Sequence, residues 1–362
     1  MNDNNMKDLY IIESIKMIFK KQLKADDFII DQIFECINDL YLYFKDDIDI
    51  IPKDDDPYNY YIFAGNQEGY SLLEFLLNRV TQNIEKISYS IYSSNSYDLY
   101  HKTLEINKNR YENVKEKYSK ATIEMFLKKS IYHETIHAIQ SNPILIGDKN
   151  EFIITAKSSS ESEQKQDFYK RLKIYNILGI KTNNVSLEEL MNTGGHINPR
   201  TCSDSIKEYR SINEALVEML ANELSGLRKY VETLDTDEKD LFYELSSDKE
   251  LALLISNPEN GYKYSSHFAK LLLDLTGRKN FFFELFTQRK DMFLNLQKRG
   301  LIEDNFKKNL NDDFMSIEGN NNVDNYFQII NKYFYLWETL DSDDIDNWLP
   351  LTLDSDIKSN KI

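Results

Sequence analysis

Five histidines occur in the chain, His101, His133, His137, His196 and His267. Two of them stand four residues apart in the run Ile131-Tyr132-His133-Glu134-Thr135-Ile136-His137-Ala138-Ile139-Gln140, which spells H-E-x-x-H. At i and i+4 on a helix both imidazoles project from one face, one turn apart. Two neutral imidazoles so placed can bind one zinc ion, and the intervening Glu134 can reach a water held by that ion. That is the equipment for metal-assisted hydrolysis: zinc acidifies the water and polarises a carbonyl, while the carboxylate takes the proton. With so few histidines the pattern arises by chance in roughly one such chain in 200, which favours chemistry over coincidence. Ile123, Phe126, Leu127, Ile131, Ala138 and Ile139 supply apolar positions around the polar stripe.

Zinc in a hydrolytic site takes three protein ligands and keeps one position open. A third histidine at H-E-x-x-H-x-x-G-x-x-H is ruled out, because Gln140 and Pro143 occupy the glycine and final histidine positions. An inverted H-x-x-E-H is absent. A carboxylate from a second helix is then the leading source, and Asn213-Glu214-Ala215-Leu216-Val217-Glu218 offers it. Glu214 and Glu218 share one face of a helix that otherwise carries Ala215, Leu216, Met219 and Leu220. A carboxylate on the inner side of such a helix needs a partner. A metal at Glu214 supplies one, and Glu218 can accept a hydrogen bond from the far nitrogen of a metal-bound histidine. Two other readings stay open: both glutamates as a solvated stripe, and His196, in its Gly194-Gly195 loop, as the third ligand.

His133-Glu134-x-x-His137 followed by Asn213-Glu214-Ala215-x-x-Glu218 resembles the gluzincin metallopeptidases, the thermolysin-like group. The resemblance implies that His133, His137 and Glu214 bind zinc, that Glu134 is the general base and that Glu218 supports a ligand from behind. It covers the two motifs and, by implication, the helices that bear them. The segment Ile144 to Arg210 makes the separation longer than in the thermolysin-like pattern and reads as an insertion. The type that the resemblance implies is a divergent bacterial one, and endopeptidase action on a polypeptide is the expected activity.

A peptidase also needs a donor for the developing oxyanion. Gly261-Tyr262-Lys263-Tyr264-Ser265-Ser266-His267 opens a helix after the glutamate helix, so Tyr262, Tyr264 and His267 are the candidates. Arg210, one turn before Glu214, can anchor a carboxylate or simply face solvent. His101 carries no motif. No P-loop, G-x-G-x-x-G or G-x-S-x-G occurs. The acidic runs Asp54-Asp55-Asp56 and Asp341 to Asp346 lack the spaced ligands and glycine of a calcium loop. Cys36 and Cys202 form no C-x-x-C pair and read as ordinary thiols.

The elements that must position these residues are helices. Apolar spacing predicts two helices over residues 8–45, one over 71–87, a long helical stretch from 97 to 140, and others over 163–178, 211–225, 238–256, 262–275, 280–299 and 322–338. Pro143 ends the long stretch, since its ring disfavours helix at the residue before it. Strand signals are few: residues 60–64, an edge candidate over 88–93, and 152–155. The expected fold is mainly α (α+β). It has a zincin-like core with a small, mostly antiparallel sheet beside the active-site helix, and a helical C-terminal part. The expected organisation is an N-terminal helical region with short strands (1–95), a metal-binding core (96–230) and a helical C-terminal region (231–362), in one compact body.

Composition agrees with a helical globular chain. Its 362 residues are 41% hydrophobic and 29% charged, with only 11 Gly and 6 Pro to interrupt helices. The net charge is −16, from 60 acidic and 44 basic residues. A nucleic-acid or anionic-membrane binder usually shows the opposite surplus, so neither partner is expected. Met1 to Asp8 is polar and Glu13 interrupts the apolar run that follows, so no signal peptide is expected. No apolar run reaches the ~20 residues of a membrane span. The expectation is a soluble, cytoplasmic protein, with signal-independent export left open. Two competing functions carry fewer observations: a non-catalytic interaction protein with a structural or vestigial zinc site, and a zinc hydrolase of a non-peptide amide.

Overall fold

The computed structural model describes residues 3–23, 25–52, 69–90, 95–98, 102–107, 119–140, 144–147, 151–154, 209–233, 262–287, 291–317, 328–329 and 331–340. The chain divides into two compact units. Met1–Asn107, Glu134–Lys207 and Phe286–Arg289 form the first; Lys108–His133, Glu208–Leu285 and Lys290–Ile362 form the second.

The first unit opens with α1 (Asp3–Leu23) and α2 (Asp27–Phe44). Asp26 starts α2 by accepting a hydrogen bond from the Phe28 N–H at 3.1 Å. Ile29, Ile30, Ile33, Phe34, Ile37 and Leu40 then recur at helical spacing and are buried. A two-residue ladder pairs β1 (Ile51–Pro52) with β2 (Gly69–Tyr70). Next comes α3 (Leu72–Asn83), begun by a reciprocal cap between Ser71 and Glu74.

Three strands follow: β3 (Lys86–Ser90), β4 (Ser96–Asp98) and β5 (Thr103–Asn107). They lie in the order β3-β5-β4, with β3 parallel and β4 antiparallel to β5. The sheet is therefore mixed, not mostly antiparallel. β3 is an edge strand, as its polar surroundings led us to expect.

The sheet overturns two expected helix boundaries. Helix α3 stops at Asn83, where Ile84 turns extended and residues 86–90 join β5. Residues 96–98 and 103–107 are strands, not the start of a long helix. Tyr97, Tyr100 and Leu104 recur at helical spacing, but Leu104 and Ile106 also alternate, and both are fully buried in β5. Lys102, the residue before β5, takes a left-handed conformation at φ +49°.

Helix α4 (Lys120–Gln140) carries the H-E-x-x-H residues. The division between the units falls within it, between His133 and Glu134. In the first unit Asn83 fixes its last turn. The Asn83 side-chain amide donates to the Ala138 carbonyl at 2.8 Å, and the Tyr97 hydroxyl donates to the Asn83 carbonyl at 2.6 Å. A hairpin of β6 (Ile144–Gly147) and β7 (Glu151–Ile154) follows.

The second unit contains α5 (Arg210–Ser225), α6 (Leu227–Thr233), α7 (Tyr262–Thr276), α8 (Arg278–Phe286, its last residue counted with the first unit), α9 (Asp291–Lys298), α10 (Phe306–Ile317) and α11 (Phe334–Trp337). Helix α5 packs against α7 and α10 and is buried continuously from Ser211 to Ala221. Gly226, at φ +78°, ends it in the left-handed conformation that glycine adopts without strain. Phe268, Phe306, Phe314, Tyr333 and Trp337 join edge-to-face around α7, α10 and α11.

The single helix expected over 280–299 is two, ending at Phe286 and restarting at Asp291. Helix α10 was not expected. Its buried stripe is sparse, with Phe306, Leu310 and Phe314 separated by polar residues. Among the described residues no helix is long and apolar enough to cross a membrane. The strand expected at 60–64 and the helices expected at 163–178 and 238–256 lie outside the described residues.

Candidate metal centre

Residues 129, 133 and 137 form one stripe on α4, each a turn from the next. Helix α4 is closely enclosed along this stretch. Lys129 is 4% exposed and His137 1%, and Glu134 is buried between the histidines. Glu214 and Glu218, one turn apart on α5, are 4% and 1% exposed. Charged side chains at such depth are rare unless something of opposite charge meets them.

His133 lies between the two glutamates. Its Nδ1–H donates to Glu218 Oε2 at 2.9 Å, and its Nε2 lies 3.4 Å from Glu214 Oε2. The other oxygen of Glu218 accepts from the Lys129 ammonium in a close, buried ion pair. Burial by itself pushes the Glu218 carboxyl up; the Lys129 ammonium and His133 outweigh it and bring it down to about 2. Glu218 is thus held as a carboxylate, an acceptor at both oxygens.

His137 has an acceptor of its own. Its Nδ1–H donates to Gln140 Oε1 at 3.1 Å, three residues on along the helix. In a neutral ring that donates at Nδ1, Nε2 carries the lone pair and is the nitrogen able to bind a metal. Ligand atoms of His133, His137 and Glu214 lie within 4.8 Å of one another. The donor set fits a divalent metal ion: neutral imidazoles, a carboxylate, and hydrogen bonds behind both rings. The Arg210 guanidinium lies 4.0 Å from Glu214 Oε1, but its side chain is 61% exposed, so solvent screens it.

The structure brings together His133, His137, Glu214 and Glu218, and places Glu134 beside them on α4. Tyr262, Tyr264 and His267 belong to α7, the helix packed on α5, but their side chains lie outside the described residues. His101, His196 and Cys202 also lie outside them. Cys36 is a buried thiol on α2.

Sequence reasoning missed Lys129 and Gln140. Lys129 had one visible signal, its position one turn before His133 on the same helix face. Gln140 had another, an amide at i+3 from a ligand candidate. Neither signal tells which atom the side chain meets.

Comparison with known proteins adds no relative to this geometry: no protein-family model, no curated protein and no solved structure matches the chain.

Proposed function

We propose that the chain is a zinc-dependent metallopeptidase with a zincin-like arrangement of the gluzincin kind, acting on a polypeptide. The observation that supports this best is the orientation of His133 and His137. Each donates through Nδ1, to Glu218 and Gln140 respectively; His133 turns its Nε2 to within 3.4 Å of Glu214, and His137 offers a ring nitrogen to the same group. Zinc bound there would lower the pKa of a water towards neutrality and polarise a carbonyl oxygen.

The chain's own residues do the rest. His133, His137 and Glu214 supply three donors, the number that leaves a tetrahedral ion one open position. Glu134 takes a proton from the attacking water and passes it to the leaving amine. Tyr262, Tyr264 and His267 remain the candidates for steadying the oxyanion. Two imidazoles and a carboxylate also serve iron elsewhere. The zinc reading rests on Glu134, a base that a metal-only site does not need.

The test has two steps. Elemental analysis of the purified wild type should find close to one zinc per chain, and Glu214→Ala should retain much less. A peptide-library digest should then show cleavage by wild type and none by Glu134→Gln with its zinc retained. No zinc in the wild type after reconstitution would sink the proposal. Zinc with no peptide cleaved, but with hydrolysis of a simple amide, would move the substrate class.

A further inference from the structure

Lys129 has no part in the chemistry proposed above, yet its ammonium is as deeply buried as the ligands. It pairs with Glu218 Oε1, and Glu218 Oε2 receives His133 Nδ1–H at 2.9 Å. One carboxylate is therefore gripped at both oxygens by two residues of the same helix. A glutamate held only by an imidazole keeps torsional freedom about its long side chain; one held at both ends does not. The register follows from helix geometry: four residues forward on α4 (129 to 133) matches four backward on α5 (218 to 214). Lys129 and His133 face Glu218, and His133 also faces Glu214.

We propose that Lys129 is a positioning residue of the metal centre. It fixes Glu218, which in turn fixes the tautomer and ring angle of His133. The inference rests on the metal-site reading. It makes a prediction of definite sign, because a cation near a cation site otherwise only repels the incoming ion. If Lys129 acted through charge alone, removing it would tighten metal binding. If it positions Glu218, removing it weakens binding, within the ten- to hundredfold typical of residues behind a metal ligand.

The experiment uses the full chain, stripped by a chelator and titrated with zinc against a chromophoric competitor. Cobalt is bound in parallel to read ligand geometry from its visible absorption. Lys129→Met is expected to raise the zinc Kd about tenfold to hundredfold and to alter the cobalt bands. Lys129→Arg, which keeps charge and donors, is expected to recover most of both. The exposed Lys120 supplies a control: Lys120→Met should leave both unchanged. A merely structural Lys129 would lower the metal-free Tm but leave the affinity and the cobalt bands of the folded protein unmoved. Should Lys129→Met fail to fold, Lys129→Gln, uncharged but still a donor, takes its place with the same expected direction. Unchanged or tighter zinc binding with unchanged bands in the variant overturns the role of Lys129 alone. No zinc bound by the wild type overturns the metal-site reading, and the role of Lys129 with it.

Discussion

The two halves of α4 hold their histidines by different means. Around His133 the support is ionic: an ammonium and a carboxylate, both buried, with the imidazole between carboxylates. Around His137 it is neutral: the Gln140 amide takes the ring N–H, and the Asn83 amide holds the Ala138 carbonyl in the last turn. An ionic support in a low-dielectric site is strong while complete and costly when broken; a neutral one is weaker and more forgiving. One helix thus holds one histidine through charged groups and the other through neutral amides, and each half can be tested on its own.

The largest effect should come from breaking the ionic half. Glu218→Leu takes the carboxylate from a buried ammonium and should cost about 3–5 kcal/mol, read by urea denaturation of the metal-free protein. A loss under about 1 kcal/mol would show that Lys129 finds solvent or another partner.

Acid should probe the same half next. The folded Glu218 carboxyl titrates at about 2, below its ordinary 4.5. Its contribution is therefore fully present above about pH 4.5 and is lost as pH falls through about 2, because the unfolded chain binds the proton first. Metal-free wild type should lose stability more steeply over that window than Glu218→Gln, if the latter folds. Parallel slopes would remove Glu218 as the source.

A smaller effect is expected where α5 begins. Its first turn has no side-chain cap of its own; instead the Asn311 side-chain oxygen accepts the N–H groups of Ser211 at 3.1 Å and Ile212 at 3.4 Å. Asn311→Ala should cost about 1–2 kcal/mol in denaturant unfolding. Asn311→Asp should retain most of the stability, since a carboxylate also accepts at a helix N-terminus.

The smallest loss should follow from Gln140→Leu, about 1 kcal/mol, with little change in the pH dependence of stability. Were it to match Glu218→Leu, the contrast between the two halves would fall.

Much of this arrangement was legible before the structure, and the reason lies in helix geometry. His133, His137, Glu214 and Glu218 lie at spacings that a helix turns into faces. Helices α2 and α5 carry dense apolar stripes, so their bounds were read to within a few residues. Residues 96–98 and 103–107 misled because Tyr97 and Leu104 fall on one helical face as readily as Leu104 and Ile106 fit a strand. Pairing with β3 and β4 decides between them, and pairing is not local. Helix α10 escaped notice because a stripe of three aromatic and aliphatic residues becomes decisive only when a helix packs on it. The roles of Lys129 and Gln140 stayed hidden for a related reason. A sequence shows that a lysine lies one turn from a histidine, but not that a glutamate on another helix meets both.

The cap on α5 also bears on how the protein comes into being. Asn311 lies 100 residues downstream of Ser211, the residue whose N–H it accepts. During synthesis the chain emerges from its N-terminus, so α4 and the whole of α5 leave the ribosome well before α10 can dock. Until then the first turn of the Glu214 helix lacks its acceptor. The cluster is made in the order of translation, with both histidines first, Glu214 next and the residue that steadies its helix last. The first turn of the Glu214 helix is therefore completed by a residue made 100 positions after it.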